Sequence, residues 1–172
     1  VYKRILVPLD GSKLAERVLP YVRAVAGATG AGVEFLRVFS PPTLAATDLG
    51  VGRYVDQIDA GLREESLGYL NSVRASLAGL SERVSCEAVL GHAPSRIVAE
   101  ADKTAGTLIA MSTHGRSGVS RWLLGSVTDK VLQATASPML VVRSGDAGNG
   151  PAEANLKTAI VPLDGSPLAE QV

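Results

Sequence analysis

Cysteine, histidine and aromatic residues are all scarce in this chain. Its one cysteine, Cys86, excludes an internal disulfide, and with only His92 and His114 beside it there is no thiolate and imidazole set for zinc. A metal held purely by protein ligands is therefore not expected. No apolar run approaches the roughly 20 residues that cross a bilayer. Val1-Tyr2-Lys3-Arg4 leads into a short apolar segment without a small-residue cleavage site, so a cytoplasmic location is the expectation. An excess of one charge is lacking as well, with 17 Lys and Arg against 17 Asp and Glu. Neither nucleic acid nor a membrane surface is indicated as a partner. What the chain does have is 46% hydrophobic residues in a length of 172. That supplies one substantial core and falls short of two ordinary domains.

Apolar periodicity divides the chain into alternating elements. Arg4 to Leu9 reads as a buried strand closed by the turn Asp10-Gly11-Ser12. From Ser12, an N-cap residue type, Leu14, Val18, Val22 and Val25 recur at helical spacing until Gly27 and Gly30, with Pro20 expected to kink the helix. A strand at Val33 to Phe39 is stopped by Pro41-Pro42. After a stretch to about Gly52, a long amphipathic helix runs through Ile58, Leu62, Leu70, Val73 and Leu77. Strands at Val84 to Leu90, Leu108 to Met111 and Met139 to Val142 alternate with helices at Ser95 to about Ala105 and Ser126 to Ala134. This βαβαβαβαβ order predicts an α/β fold: a doubly wound, Rossmann-like, five-stranded parallel sheet with helices on both faces, because each parallel connection needs a covering crossover.

Residues 144–156, rich in Gly, Ala, Pro and Asn, read as a linker that closes a first domain of residues 1–143. Beyond it, Thr158-Ala-Ile-Val-Pro-Leu-Asp-Gly-Ser-Pro-Leu-Ala-Glu-Gln-Val172 repeats Arg4-Ile-Leu-Val-Pro-Leu-Asp-Gly-Ser-Lys-Leu-Ala-Glu-Arg-Val18 almost residue for residue. Residues 157–172 thus read as the incomplete start of a second copy in a tandem array. Such a segment is expected to pack against a sheet edge or an apolar groove, since a lone strand cannot fold by itself.

In a doubly wound sheet, ligands sit beyond the carboxyl ends of the strands where strand order reverses. Two loops rich in small residues compete for that place. One is Asp10-Gly11-Ser12; the other is Ser112-Thr-His-Gly-Arg-Ser-Gly118, which runs through Val119 to Leu124 into Gly125-Ser126 at a helix start. Gly115, Gly118 and Gly125 admit close approach of the backbone to a phosphate. The hydroxyls of Ser126 and Thr128 and the free amides of that helix start would bind its charge. Arg116 and Arg121 would either reach phosphates or stand solvated. Trp122 would either cover the loop or form a contact surface. His114 reads as a loop residue beside the ligand, since no nucleophile and base set surrounds it. Cys86 reads as a small core residue and His92 as structural.

At these residues the chain strongly resembles the universal stress protein family, whose nucleotide-binding members carry Gly-x2-Gly-x9-Gly-Ser/Thr. Gly115, nine residues and Gly125-Ser126 fit that frame, with Ser112 in place of the first glycine. The resemblance extends from Tyr2 to Arg143 through Ile5 to Ser12, Gly91-His-Ala-Pro94 and Ser137-Pro-Met-Leu-Val-Val142. It implies the adenine nucleotide alpha-hydrolase-like fold and a bound ATP. Pro8 and Asp10 would lie by the nucleotide, with Asp10 near the ribose, and Val38 would offer its backbone to the adenine. Met111, Ser112, Gly115, Gly125, Ser126 and Val127 would line the ribose and phosphates. It also implies a homodimer through the last strand.

The function expected is an ATP-binding stress-response switch, with Mg²⁺ bridging the phosphates and hydrolysis at most slow, since few residues suit a base or charge neutraliser at the γ-phosphate. Two rivals stand beside it. One is a dimerisation module of the same fold that holds no nucleotide, supported by Ser112. The other is an adenylating or sulfur-transferring enzyme, which would want a serine-rich phosphate loop directly after the first strand.

Overall fold

The computed structural model describes residues 2–40, 51–77, 79–113, 125–143, 154, 156–158, 160–161 and 166, with backbone alone at 51–56 and 81. Five strands, β1 (Arg4–Pro8), β2 (Gly32–Phe39), β3 (Val84–Leu90), β4 (Thr107–Ser112) and β5 (Met139–Val142), form one parallel sheet in the order β3-β2-β1-β4-β5. Among the described residues four α-helices connect them: α1 (Leu19–Thr29), α2 (Val51–Ser76), α3 (Ala93–Asp102) and α4 (Ser126–Ala134). The doubly wound sheet read from the sequence is the observed fold.

Strand parity explains why both faces are covered. Ile5, Val7, Val33, Phe35, Leu108 and Ala110 pack with Val18 and Val22, with Leu70 and Val73 of α2, and with Leu77 just beyond it. The intervening Leu6, Leu36, Ile109 and Met111 pack with Ile97 and Ala101 of α3 and Val131 of α4. Right-handed crossovers require this split. The chain steps outward from β1 to β3, then returns across β1 to β4 and β5, so α1 and α2 fall on one face and α3 and α4 on the other. Ile5, Leu6 and Val7 of the central strand are fully buried. Burying an aliphatic side chain of this size contributes about 1.5–3 kcal/mol.

Local chemistry shifts two helix starts. Pro20 does not kink a helix that begins at Ser12. A 3₁₀ turn at Ala15–Val18 leads into α1, and Pro20 lies in its first turn, where a missing N–H removes no helical bond. Likewise α3 begins at Ala93 with Pro94 in its first turn, and it ends at Asp102. Gly30 closes α1 in the left-handed region, φ 75°, donating its N–H to the Ala26 carbonyl at 3.0 Å.

Toward the amino ends of the strands, Glu34, Glu87 and Glu100 bring carboxylate oxygens within 4.8 Å of one another. Arg4 donates to Glu34 at 3.0 Å and to the Thr107 hydroxyl at 3.1 Å, and Lys103 donates to Glu100 at 2.6 Å. This group joins β1, β2, β3, β4 and α3. In the repeated segment, the described residues form no strand or helix, and Ile160 is 90% exposed. The expectation that this segment docks on an edge or groove is not met at Ile160 and Val161, both of them exposed. A few apolar residues bury too little area to offset the entropy of ordering them.

Candidate functional site

Strand order reverses between β1 and β4, and a cavity of about 260 Å³ opens at the carboxyl ends there. Pro8 and Asp10 enter it from β1 and its loop, Val38 from β2, Met111 and Ser112 from β4, and Gly125, Ser126 and Val127 from the start of α4. Eight residues singled out from the sequence thus meet around one space. Gly115, Arg116 and Gly118, with His114, Arg121 and Trp122, lie outside the described residues.

Sequence reasoning missed part of the wall. Leu36, Ala93 and Ile97 also line the cavity. Their signal was present: Leu36 shares a strand face with Val38, and Ala93 and Ile97 stand four apart on one helix face. A residue in such a stripe has the same pattern whether it meets core or cavity.

The loop after β1 has a defined build. The Leu9 N–H extends the ladder by donating to the Leu36 carbonyl at 2.9 Å. Asp10 Oδ1 then accepts from the Ser12 N–H at 2.9 Å, and Ser12 Oγ accepts from the Ala15 N–H at 3.1 Å. Between them Gly11 adopts φ +86°, where a side chain would be strained. This turn sets the Asp10 carboxyl at the cavity, and Asp10 is the one charged side chain among the described lining residues.

At the opposite wall, Gly125 is the N-cap of α4, with φ −58° and ψ 143° and no side-chain cap hydrogen bond. Its N–H donates to the Thr113 carbonyl, and its carbonyl accepts from the Asp129 N–H at 2.9 Å. The amides of the first turn, at Ser126, Val127 and Thr128, have no acceptor within the helix and carry the positive end of its dipole. Gly125 therefore occupies a backbone conformation open to any residue, and what a larger side chain there would take is space.

Two expectations are refined here. The Thr128 hydroxyl was expected to meet phosphate, yet it is buried and donates to the Ser112 carbonyl at 3.0 Å. A hydroxyl has one proton, so this bond leaves none for an anion. Ser112 itself ends β4 in register with Val142, in extended backbone that makes no demand only glycine could meet.

Behind the Asp10 loop, Tyr69 of α2 donates to Glu16 Oε1 at 3.2 Å. Partial burial raises its phenol well above the usual range, and the charge and hydrogen bond of Glu16 and the charge of Asp10 add to this. Cys86, on β3, packs beside the α1 and α2 core. Burial pushes its thiol up, with Arg74 pulling the other way. His92 accompanies the start of α3, where its Nδ1 and Ser95 Oγ share a hydrogen bond of 3.2 Å.

The Universal stress protein family model matches residues 1–143. Universal stress protein MJ0577 of Methanocaldococcus jannaschii is 28% identical over 155 residues, which span 83% of this chain and 96% of that protein. Its structure, solved when it was a hypothetical protein as a test case for assigning biochemical function from structure, matches with a TM-score of 0.71 at 29% identity and the same coverage. Universal stress protein Rv2005c of Mycobacterium tuberculosis is 31% identical over 144 residues, 81% of this chain and 45% of that protein. A universal stress protein from Archaeoglobus fulgidus, solved in complex with dAMP, shares the fold with a TM-score of 0.51 at 24% identity, covering 83% of this chain and 98% of that one.

Proposed function

The chain belongs to the universal stress protein family, and from that premise we propose that it binds ATP with Mg²⁺ in the cavity between β1 and β4. The observation that carries this reading is the polarity gradient across the cavity. Val38, Ala93, Ile97 and Met111 make an apolar wall suited to a base, Asp10 stands where a ribose hydroxyl would donate, and the uncapped start of α4 at Gly125-Ser126 suits phosphate.

Phosphate oxygens would supply most of the Mg²⁺ ligands, since this ion keeps several waters and takes few protein groups. Among the described lining residues, Asp10 is the one carboxylate that could join them. Hydrolysis needs a positioned water, a base and neutralisation of the γ-phosphate charge, and we take binding, not turnover, as the activity. Its use would be a nucleotide-dependent switch in a cytoplasmic stress response. In this reading residues 1–143 are the binding unit, 144–156 a linker and 157–172 the opening of a second copy. Two units would associate through β5.

Mass spectrometry of ligand released from freshly purified protein, followed by calorimetry with ATP and Mg²⁺, tests the reading. Released adenine nucleotide and a saturable heat are expected. Protein that releases none and shows no heat with ATP, ADP or AMP would refute it.

A further inference from the structure

Arg37 is a charged residue near the carboxyl end of β2, and the cavity does not account for it. Parity puts it with Val33 and Phe35 on the α1 and α2 face, while its neighbours Leu36 and Val38 face the cavity. Arg37 is accordingly not among the residues that line the cavity. Its side chain is only 14% exposed, and three groups hold it. The guanidinium stacks over the Tyr69 ring at 5.0 Å from the centroid, it faces Glu65 at 4.0 Å, and it lies against Gly11, where an added Cβ would stand 3.5 Å from both terminal nitrogens.

That last contact joins Arg37 to the ligand side. Gly11 sits between Asp10, which lines the cavity, and Ser12, whose amide Asp10 receives. With φ +86° and no side chain, Gly11 turns the loop over the end of β2 so that the flat guanidinium rests on it. Tyr69 is fixed in turn through Glu16, and Lys13 donates to the same carboxylate at 2.7 Å. A planar cation locked between an aromatic ring and a turn holds that turn better than a flexible lysine would.

We infer that Arg37 is a positioning residue for nucleotide binding, which braces the Asp10-Gly11-Ser12 turn from behind the sheet and so fixes the carboxylate that receives the ribose. This rests on the proposed nucleotide site. A preformed acceptor adds affinity because binding then orders nothing further. The effect belongs to the ribose hydroxyls alone, and that separates it from general packing.

The test compares ATP with 2′,3′-dideoxy-ATP, which keeps base and phosphates and offers Asp10 no hydroxyl. In Arg37→Met, ATP affinity is expected to fall about tenfold, the scale of one charge-assisted hydrogen bond, while dideoxy-ATP affinity stays at its wild-type value. Arg37→Lys should show the same selective loss at smaller size, and it carries the test if Arg37→Met does not fold. A folded variant with unchanged ATP affinity, or with equal losses for both nucleotides, overturns the inference. A wild type that binds neither nucleotide instead overturns the underlying site, and the inference with it.

Discussion

The Thr128 hydroxyl donates to the Ser112 carbonyl at 3.0 Å and so ties the first turn of α4 to the end of β4, across the cavity mouth. Both residues are buried. Replacing Thr128 by valine keeps the shape and removes the donor, so it should cost about 1–3 kcal/mol. Urea unfolding of Thr128→Val and Thr128→Ser measures this, with serine expected to retain most of the stability. Equal midpoints for the valine variant and wild type would mean that the bond contributes nothing.

Gly125 tests the phosphate end. Its φ of −58° and ψ of 143° suit any residue, so Gly125→Val should keep its circular dichroism and cooperative unfolding. The added side chain would stand at the uncapped helix start, and ATP affinity should fall by at least about tenfold, or 1.4 kcal/mol. Calorimetry that finds wild-type affinity in the folded variant would remove Gly125 from the site.

Much of the architecture was legible because a few residue patterns have few solutions. Ile5, Leu6 and Val7, apolar on both faces and closed by Asp10-Gly11, announce a central parallel strand, and Gly30 announces the end of α1. Pro20 misled, since a proline within a helical stripe reads equally as a kink or as a first-turn residue. The bond from Thr128 to Ser112 was not legible at all. It depends on how α4 docks against β4, a long-range relation that no local spacing encodes. Arg37 was hidden for a similar reason: its partners Gly11 and Tyr69 come from different elements.

Asp10 does two things that one substitution separates. Its Oδ1 accepts from the Ser12 amide, and its charge faces the cavity. Asp10→Asn retains an acceptor for the turn and loses the charge. Thermal unfolding should barely change while ATP affinity falls about tenfold. If the variant keeps full affinity and loses a slow hydrolysis at saturating ATP, the role of Asp10 is chemical.

Association is expected through β5. Among the described residues this strand pairs with β4 on one side, and Met139, Leu140 and Val141 are half-buried at the sheet edge. An open apolar edge invites a second strand, and a lysine placed on it discourages pairing. Light scattering at micromolar concentration should report a dimer for wild type and a shift toward monomer for Val141→Lys. A wild-type monomer with and without ATP would exclude this interface.

Tyr69 makes the brace behind the Asp10 turn sensitive to alkali. Its phenol, raised chiefly by burial and then by the charge and hydrogen bond of Glu16, holds its proton more tightly in the fold than in the unfolded chain, where it titrates near 10. The sign follows from proton counts. Below about pH 10 both states keep the proton, and its contribution is fully present. Above it the unfolded chain releases the proton while the fold retains it, so stability falls as pH rises, by at most about 1.4 kcal/mol per pH unit for one proton. Tyr69→Phe has no proton to lose and should show a shallower decline. Urea midpoints of both proteins measured from neutral pH into the alkaline range decide the matter, and parallel curves would show that Tyr69 titrates alike in both states.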